Sequence, residues 1–419
     1  MPASSLTSPR PAIGRFVPAL LLLLTVFGPI SMDLYLPVLP SLTLELDAAT
    51  SVAQLTITAC LIGLALGQLI AGRLSDRFGR RIPLLVGLVA YVLASVMCAV
   101  SPSIEMLILA RVVQGLAGGV GIVIAQAAGR DLYTGGALIR FYGRLTVLAG
   151  LAAIVGPLIG GMLATVADWR GLFLFLAAIG AGILLATLLG FQETLPKQRR
   201  TSGGFLQTCR DFRVLLSDRI FVGAVLVTGL ANAAVFAYLA GATFVLQGIY
   251  DYSPQQYALA FGLNSAGFMV FGFLAARTAE RWSIRGTLIV GIAMCGLGAS
   301  GLLLAGLTPA PVVVVNIALF IMVSGVAVTT PPTTTLALAE YPQIAGTASS
   351  LLGMARFAFG AIAAPLVGIA GPATILPLGL VTTISIALAA IAYATLIARP
   401  SRTPQPPSAT SRSALAATH

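Results

Sequence analysis

Three ionisable side chains stand inside long apolar stretches of this 419-residue sequence: Asp33, Arg111 and Arg356. A charge at the centre of a membrane helix costs about 3 kcal/mol, so each needs a reason to be there. Asp33 is the one acid in such a stretch. A carboxyl in apolar surroundings can take up and release a proton as its environment changes. Arg111 matches it in depth. Asp33 lies seven residues before Pro40, and Arg111 seven residues after Ile104, the ends of two apolar runs. At ~1.5 Å per residue both sit ~10 Å below one surface. Two readings follow. The two residues form a static ion pair that joins helices, or Asp33 exchanges a proton for another solute while Arg111 tunes it. Arg111 alone also suits an anchor for backbone carbonyls. Arg356 has no second acid to meet. It suits either a cavity that takes an anionic or polar solute, or a donor to backbone carbonyls near a Gly-rich turn.

Other residues are candidates by type. Asn232, Phe236 and Tyr238, with Tyr35, Gln114 and Asn264, suit the lining of an apolar cavity that carries few polar groups. They suit packed or lipid-facing positions equally well, because periodicity cannot separate the faces of a helix that is apolar all round. A second cluster combines Asp76 with Arg77, Arg80 and Arg81, between Gly72 and Gly79, and Asp131 is placed to pair with it. Such pairs would break when that side of the molecule opens, and so would bias two conformations. Gly156, Pro157, Gly160 and Gly161 form a third group, in which small residues permit close helix contact and the proline removes one hydrogen bond.

Residue counts exclude much else. The one His is His419 and the one Lys is Lys197, so no Gly-Lys-Ser/Thr phosphate loop, zinc hydrolase, His-based triad or His-ligated haem fits. The four Cys (Cys60, Cys98, Cys209 and Cys295) form no disulfide or metal pattern. No enzyme, cofactor or metal site is expected.

The elements that hold these residues are membrane spans. Hydrophobic residues make up 58% of the chain, charged residues 9%, and the mean hydropathy is +0.98. Apolar runs fall at 16–40, 50–71, 82–100, 104–126, 141–166, 171–191, 219–246, 256–276, 286–307, 311–333, 344–369 and 372–397. Each is long enough for a helix to cross ~30 Å of hydrocarbon. With the N-terminus inside, 21 of the 24 basic residues fall on one side, Arg170 falls on the other, and Arg111 and Arg356 lie within spans. The charge bias predicts that both termini are cytoplasmic. The first run continues past the length of a signal peptide and is expected to remain as an uncleaved helix. The net charge of +11 follows from the same bias and implies no nucleic-acid partner.

The chain divides into 1–15, a six-span half over 16–191, a polar linker over 192–218, a second half over 219–398, and a Pro/Ser/Thr-rich tail over 399–419 that is expected to be disordered. Gly156-Pro157-Leu158-Ile159-Gly160 in the fifth run is echoed by Ala364-Pro365-Leu366-Val367-Gly368 in the eleventh, 208 residues on. A weaker echo links the residues after Gly72 with those after Gly272. Two related six-helix halves are a common transporter plan, with the cargo site between them near the midplane.

These motifs resemble one family. Gly72-Arg73-Leu74-Ser75-Asp76-Arg77-Phe78-Gly79-Arg80-Arg81 resembles the loop between helices 2 and 3 of the major facilitator superfamily. Arg111-Val112-Val113-Gln114-Gly115 is similar to its drug-exporter Arg-x-x-Gln-Gly motif, and Gly156 to Gly161 to its antiporter motif, with Ala152 where a Gly is usual. Met32 to Pro40, and Glu193-Thr194-Leu195-Pro196, resemble the bicyclomycin/chloramphenicol-resistance (Bcr/CflA) exporters. The resemblance covers residues 15–398 and implies an all-α, twelve-helix fold of two pseudo-symmetric bundles. It implies that Asp76 meets the N-terminus of helix 11 and closes the cytoplasmic gate. It implies that Asp33 and Arg111 couple protons, and that the seam at Gly156 to Gly161 prevents leak. Some relatives carry a second acid in helix 1; Asp33 alone implies one proton per cycle.

The expected activity is proton-coupled export of lipophilic drug-like molecules, such as those of the chloramphenicol and bicyclomycin class, by a monomer in the plasma membrane. Its partners are the lipid bilayer, the drug and protons. The alternative is export of a metabolite or natural product, such as an amino acid or a sugar, by the same fold. A receptor or channel fits less well: no soluble stretch exceeds about 30 residues, and a channel needs no duplicated halves with a gate.

Overall fold

The computed structural model describes residues 16–133, 135–200, 205–281, 283–341, 344–369, 371 and 374–398. The N-terminal segment 1–15, the tail 399–419 and the Gly203-Gly204 part of the linker lie outside the described residues. Helices dominate and the described residues contain no strand. This follows from the solvent, because within lipid a helix satisfies its own backbone polar groups.

The first half begins with α1 (Phe16–Asp33), a short 3₁₀ turn (Leu36–Val38) and α2 (Leu39–Glu45). Pro37 lacks the N–H that would reach the Asp33 carbonyl, so the helix breaks immediately after Asp33. There follow α3 (Thr50–Phe78), α4 (Arg81–Ala99), α5 (Ile104–Leu132), α6 (Gly135–Leu163) and α7 (Trp169–Gly190). The linker contains α8 (Phe205–Ser217). The second half is α9 (Arg219–Phe244), which ends in a π-helical turn (Val245–Ile249), then α10 (Pro254–Arg281), α11 (Ile284–Leu307), α12 (Val312–Leu338), α13 (Ala345–Leu366) and α14 (Leu376–Ala392).

Among the described residues, eleven helices are long and apolar enough to cross a membrane. The remaining expected span, 141–166, falls on α6, whose stretch Ile154–Leu163 is apolar. The helix starts six residues before that expected run, and the first span continues through α2 to Glu45. α8 was not expected, since its register is obscured in a stretch read as polar linker.

The two halves repeat one packing scheme. In the first, α3 and α4 pack on α5, α4 on α7, and α1 on α5 and α6. In the second, α10 and α11 pack on α12, α11 on α14, and α9 on α12 and α13. The halves meet along α3 against α13 and along α6 against α10, related pairs in the repeat. Glycine sets the closest approaches. A Cβ at Gly63, Gly67 or Gly115 would stand 2.2, 2.1 and 2.2 Å from the Val112, Leu116 and Cys60 carbonyl oxygens, so α3 and α5 lie backbone on backbone.

The molecule has a basic end, where α3 meets α4 and α8 lies, and a far end, where α2 meets the start of α7. Five hydrogen bonds between the halves lie towards the far end. Gln54 Nε2 donates to the Ala240 carbonyl (3.0 Å), Thr58 Oγ1 to Ala361 (3.2 Å), Thr243 Oγ1 to Leu36 (2.9 Å), Gln247 Nε2 to Pro37 (3.0 Å) and Gln255 Nε2 to Gly161 (3.1 Å). Towards the basic end the halves approach through Gln68 and Gly353, where a Cβ on the glycine would lie 3.4 Å from Gln68 Oε1.

Candidate functional site

Asp33 sits at the break after α1 and is 7% exposed. Its Cβ faces Gly156 on α6, where an added Cβ would lie 3.3 Å away. Gly160, one turn on, would put a Cβ 1.9 Å from the Leu34 carbonyl oxygen, and Gly161 faces Pro254 and Ala258 of α10. The glycines of α6 therefore seat the Asp33 break on one side and the other half of the molecule on the other. Pro157 lies between them inside the helix. Among the described residues Asp33 makes no ion pair within 4.0 Å.

The expected Asp33–Arg111 pair is not made. Arg111 is fully buried, and its guanidinium donates to the Ser31 carbonyl (3.2 Å), the Thr56 carbonyl (3.5 Å) and Gln114 Oε1 (2.6 Å). It lies over the Tyr35 ring at 4.4 Å and near Phe173 at 5.6 Å. The aromatic faces stabilise a cation whose Nη2 has no acceptor. Gln114 Nε2 passes the network to Ser95 Oγ (2.8 Å), and Tyr91 Oη meets Ser31 Oγ at 2.5 Å. Tyr35 Oη meets Thr56 Oγ1 at 3.0 Å. Arg111 thus ties α1, α3 and α4 to α5. Tyr35 and Gln114, expected in an open cavity, are 0% and 1% exposed and belong to this clamp. Ser31, Thr56, Tyr91 and Ser95 were not singled out from the sequence. The signal for them is that each is a polar group in an apolar helix, and such groups are buried with partners.

The other cavity candidates divide between two places. Asn264 is buried and donates to Tyr238 Oη (3.0 Å), whose ring stacks on Phe261 at 5.5 Å. Arg356 Nε donates to Asn232 Oδ1 (3.3 Å), and Asn232 donates in turn to the Thr228 carbonyl (2.8 Å). Phe236 lies 6.0 Å from Phe357, ring to ring. One stripe of α13 carries Gly353, Arg356 and Gly360 towards α3 and α9, since a Cβ at Gly360 would meet Phe236 at 2.1 Å.

At the basic end Arg80 is the hub. It is 5% exposed and donates to Asp131 Oδ2 (2.9 Å), Asp76 Oδ1 (2.6 Å) and Ser75 Oγ (2.8 Å). Burial opposes its charge, but the two carboxylates outweigh that and hold its pKa above the usual arginine value. Asp76 was expected at the N-terminus of α13. Its carboxylate sits on Arg80, half exposed, and the two residues just before the α13 end, 342 and 343, lie outside the described residues. Arg77 lies exposed over Phe78 at 5.2 Å. Gly79 has φ +92°, a conformation that favours glycine, and a Cβ there would strike Glu193 Oε2 at 2.2 Å. Gly72 is not so confined, with Val123 4.0 Å from a built Cβ.

The segment after α7 docks on this loop. Glu193 accepts from the backbone N–H of Arg80 (2.8 Å), Arg81 (3.3 Å) and Leu195 (3.0 Å), and Arg200 lies 3.6 Å away. Partial burial pushes its pKa up, but these donors and the Arg200 charge win and hold it below the usual glutamate range. Thr194 Oγ1 donates to Asp131 Oδ2 (3.1 Å). Arg81 Nη2 reaches the Leu188 carbonyl (3.1 Å).

The family model for the Major Facilitator Superfamily matches residues 21–365. The chain belongs to this superfamily. A Bacillus subtilis relative, named as an uncharacterized MFS-type transporter YdgK, is 35% identical over 376 residues, covering 89% of this chain and 93% of its own. The bicyclomycin resistance protein homolog of Haemophilus influenzae is 28% identical, covering 90% and 95%. Multidrug resistance protein D of Escherichia coli is 30% identical, covering 80% and 84%. Among solved structures, the nucleoside transporter NupG matches with TM-score 0.73 at 13% identity, over 90% of this chain and 98% of that one. The xylose transporter XylE of E. coli, in a partially occluded inward-open form, matches with TM-score 0.69 at 15% identity, over 93% and 99%. The protein is a multi-pass membrane transporter with the major facilitator fold, and its relatives include proteins named for drug resistance.

Proposed function

We propose that this chain is a proton-coupled exporter of drug-like molecules, working by alternating access as a monomer in the plasma membrane. The basic end faces the cytoplasm, both termini lie there, and the far end faces outward. The observation that carries the reading is Asp33. It is the sole acid of the twelve apolar runs, it has no ion partner among the described residues, and it lies at a helix break between α1 and the glycine seam of α6. No described residue pairs with its carboxylate, which leaves it free to exchange protons. Arg111 acts at one remove, by holding the α1 backbone through the Ser31 carbonyl. The names of the Haemophilus and Escherichia relatives support a drug cargo.

In the cycle, deprotonated Asp33 permits cargo to bind from the cytoplasm, and protonation from outside expels it. One proton moving down ~150 mV supplies about 3.5 kcal/mol, which supports a gradient of a few hundredfold for a neutral solute. The test is accumulation of labelled chloramphenicol in pump-deficient cells, with and without a protonophore. Cells with the wild type are expected to accumulate less, and the protonophore or Asp33→Asn to abolish the difference. Proton-coupled efflux retained by Asp33→Asn would overturn the reading.

A further inference from the structure

Arg356 is an expense the fold does not account for. It lies eleven residues into α13, within the span, and it meets one protein acceptor among the described residues, Asn232 Oδ1. Its side chain is partly exposed, although it faces α3 and α9. The second half has no acid within its spans, and Asp251, Glu280 and Glu340 all lie at helix ends or loops. Even with Asp33 ionised, the apolar runs hold two guanidinium groups against one carboxylate. Arg111 is provided for by carbonyls, Gln114 and two rings. Arg356 is not, and a guanidinium with free N–H donors in a low-dielectric cleft has strong affinity for an oxyanion.

What surrounds Arg356 narrows the ligand further. Asn232, anchored through its Nδ2, holds the guanidinium at Nε, which leaves the two Nη groups without an acceptor among the described residues. Phe236 lies one turn from Asn232 on α9, and Phe357 follows Arg356 on α13. Their tilted rings, 6.0 Å apart, offer apolar aromatic contact beside the guanidinium. We propose that Arg356, with Asn232, Phe236 and Phe357, forms the subsite that selects cargo carrying an aromatic ring with an attached oxyanion, such as a carboxylate. The proposal rests on the reading of the cleft between the halves as the cargo site. It adds that, among aromatic cargoes, one that carries an oxyanion is preferred over its neutral analogue.

The experiment uses the purified full-length chain in detergent, titrated calorimetrically with 1-naphthoate, its methyl ester and its primary amide. These probes share a ring system and differ in charge. The wild type is expected to bind the acid about tenfold more tightly than the ester or the amide, the worth of one charge-assisted hydrogen bond. Arg356→Gln should erase the preference by weakening the acid about tenfold, and Arg356→Lys should keep part of it. A melting transition in detergent like that of the wild type shows that the variant is folded; should Arg356→Gln fail to fold, Asn232→Leu, which frees the guanidinium from its anchor, must weaken the preference. Equal binding of acid and ester by the wild type, no binding of any probe, or a preference that survives in Arg356→Gln would overturn the proposal. No proton gradient enters the measurement, so its failure is separable from the failure of Asp33-dependent export.

Discussion

The residue that most changes meaning between sequence and structure is Arg111. Its type and depth were legible, and so was its spacing to Gln114, which the 2.6 Å bond now explains as neighbours on one helix face. Its partners were not, because two of them are backbone carbonyls, at Ser31 and Thr56, and carbonyls leave no mark in a sequence. Depth alone made Asp33 look like the partner. The guanidinium bonds in several directions at once, a task for a planar fork and not for a point charge. Arg111→Lys keeps the charge and loses most of that geometry. It should destabilise the protein by about 2 kcal/mol, the cost of leaving buried acceptors unmet, read as a lowered melting temperature in detergent. An unchanged melting temperature would mean that Arg111 serves the cargo site and not the helix clamp.

At the scale of elements, the apolar runs and the helix 2–3 loop were readable from composition and motif, and the ends were not. The first span reads as one run, but Pro37 breaks it at Asp33. The linker reads as polar, but it contains α8 and a docking strap, because Glu193 finds three backbone donors that only the folded chain assembles. That strap makes a pH prediction. The Glu193 pKa is held below its usual value, so its contribution to stability is complete above the unfolded pKa of about 4.3 and is lost as pH falls through the lower folded value. Glu193→Gln should melt earlier than the wild type at pH 7. The gap between the two should close as the pH is taken below about 4, where the wild-type carboxyl is itself protonated. A gap that persists at low pH would show that the loop is held by shape and not by the charge on Glu193.

At the scale of the whole molecule, the repeat of packing between halves explains why a duplicated sequence gives an interface of two related contacts, α3 on α13 and α6 on α10. Such an interface can rock about its middle if neither end is locked. In this conformation five hydrogen bonds between the halves lie towards the far end, while Arg80, Asp76 and Asp131 of the basic end pair within their own half. Far-end closure is therefore maintained by a few neutral bonds of about 1 kcal/mol each, a size suited to a gate that must open repeatedly. Thr243 offers the cleanest test. Its hydroxyl is fully buried and donates to the Leu36 carbonyl across the interface, and valine has nearly its shape. Thr243→Val removes this bond and the acceptor that Thr243 Oγ1 offers Gln247 Nε2 (3.2 Å), with little change in packing, whereas Thr243→Ser keeps the hydroxyl for both. Losing about 1 kcal/mol from the closed far end should raise the population of the open form roughly fivefold. The readout is the rate at which a maleimide labels a single cysteine placed at Gln54, within the far-end interface, in a background without other cysteines. Thr243→Val should speed labelling about fivefold and Thr243→Ser should not. Equal rates in all three would mean that side-chain packing, and not the cross-interface bond, sets how often the far end opens.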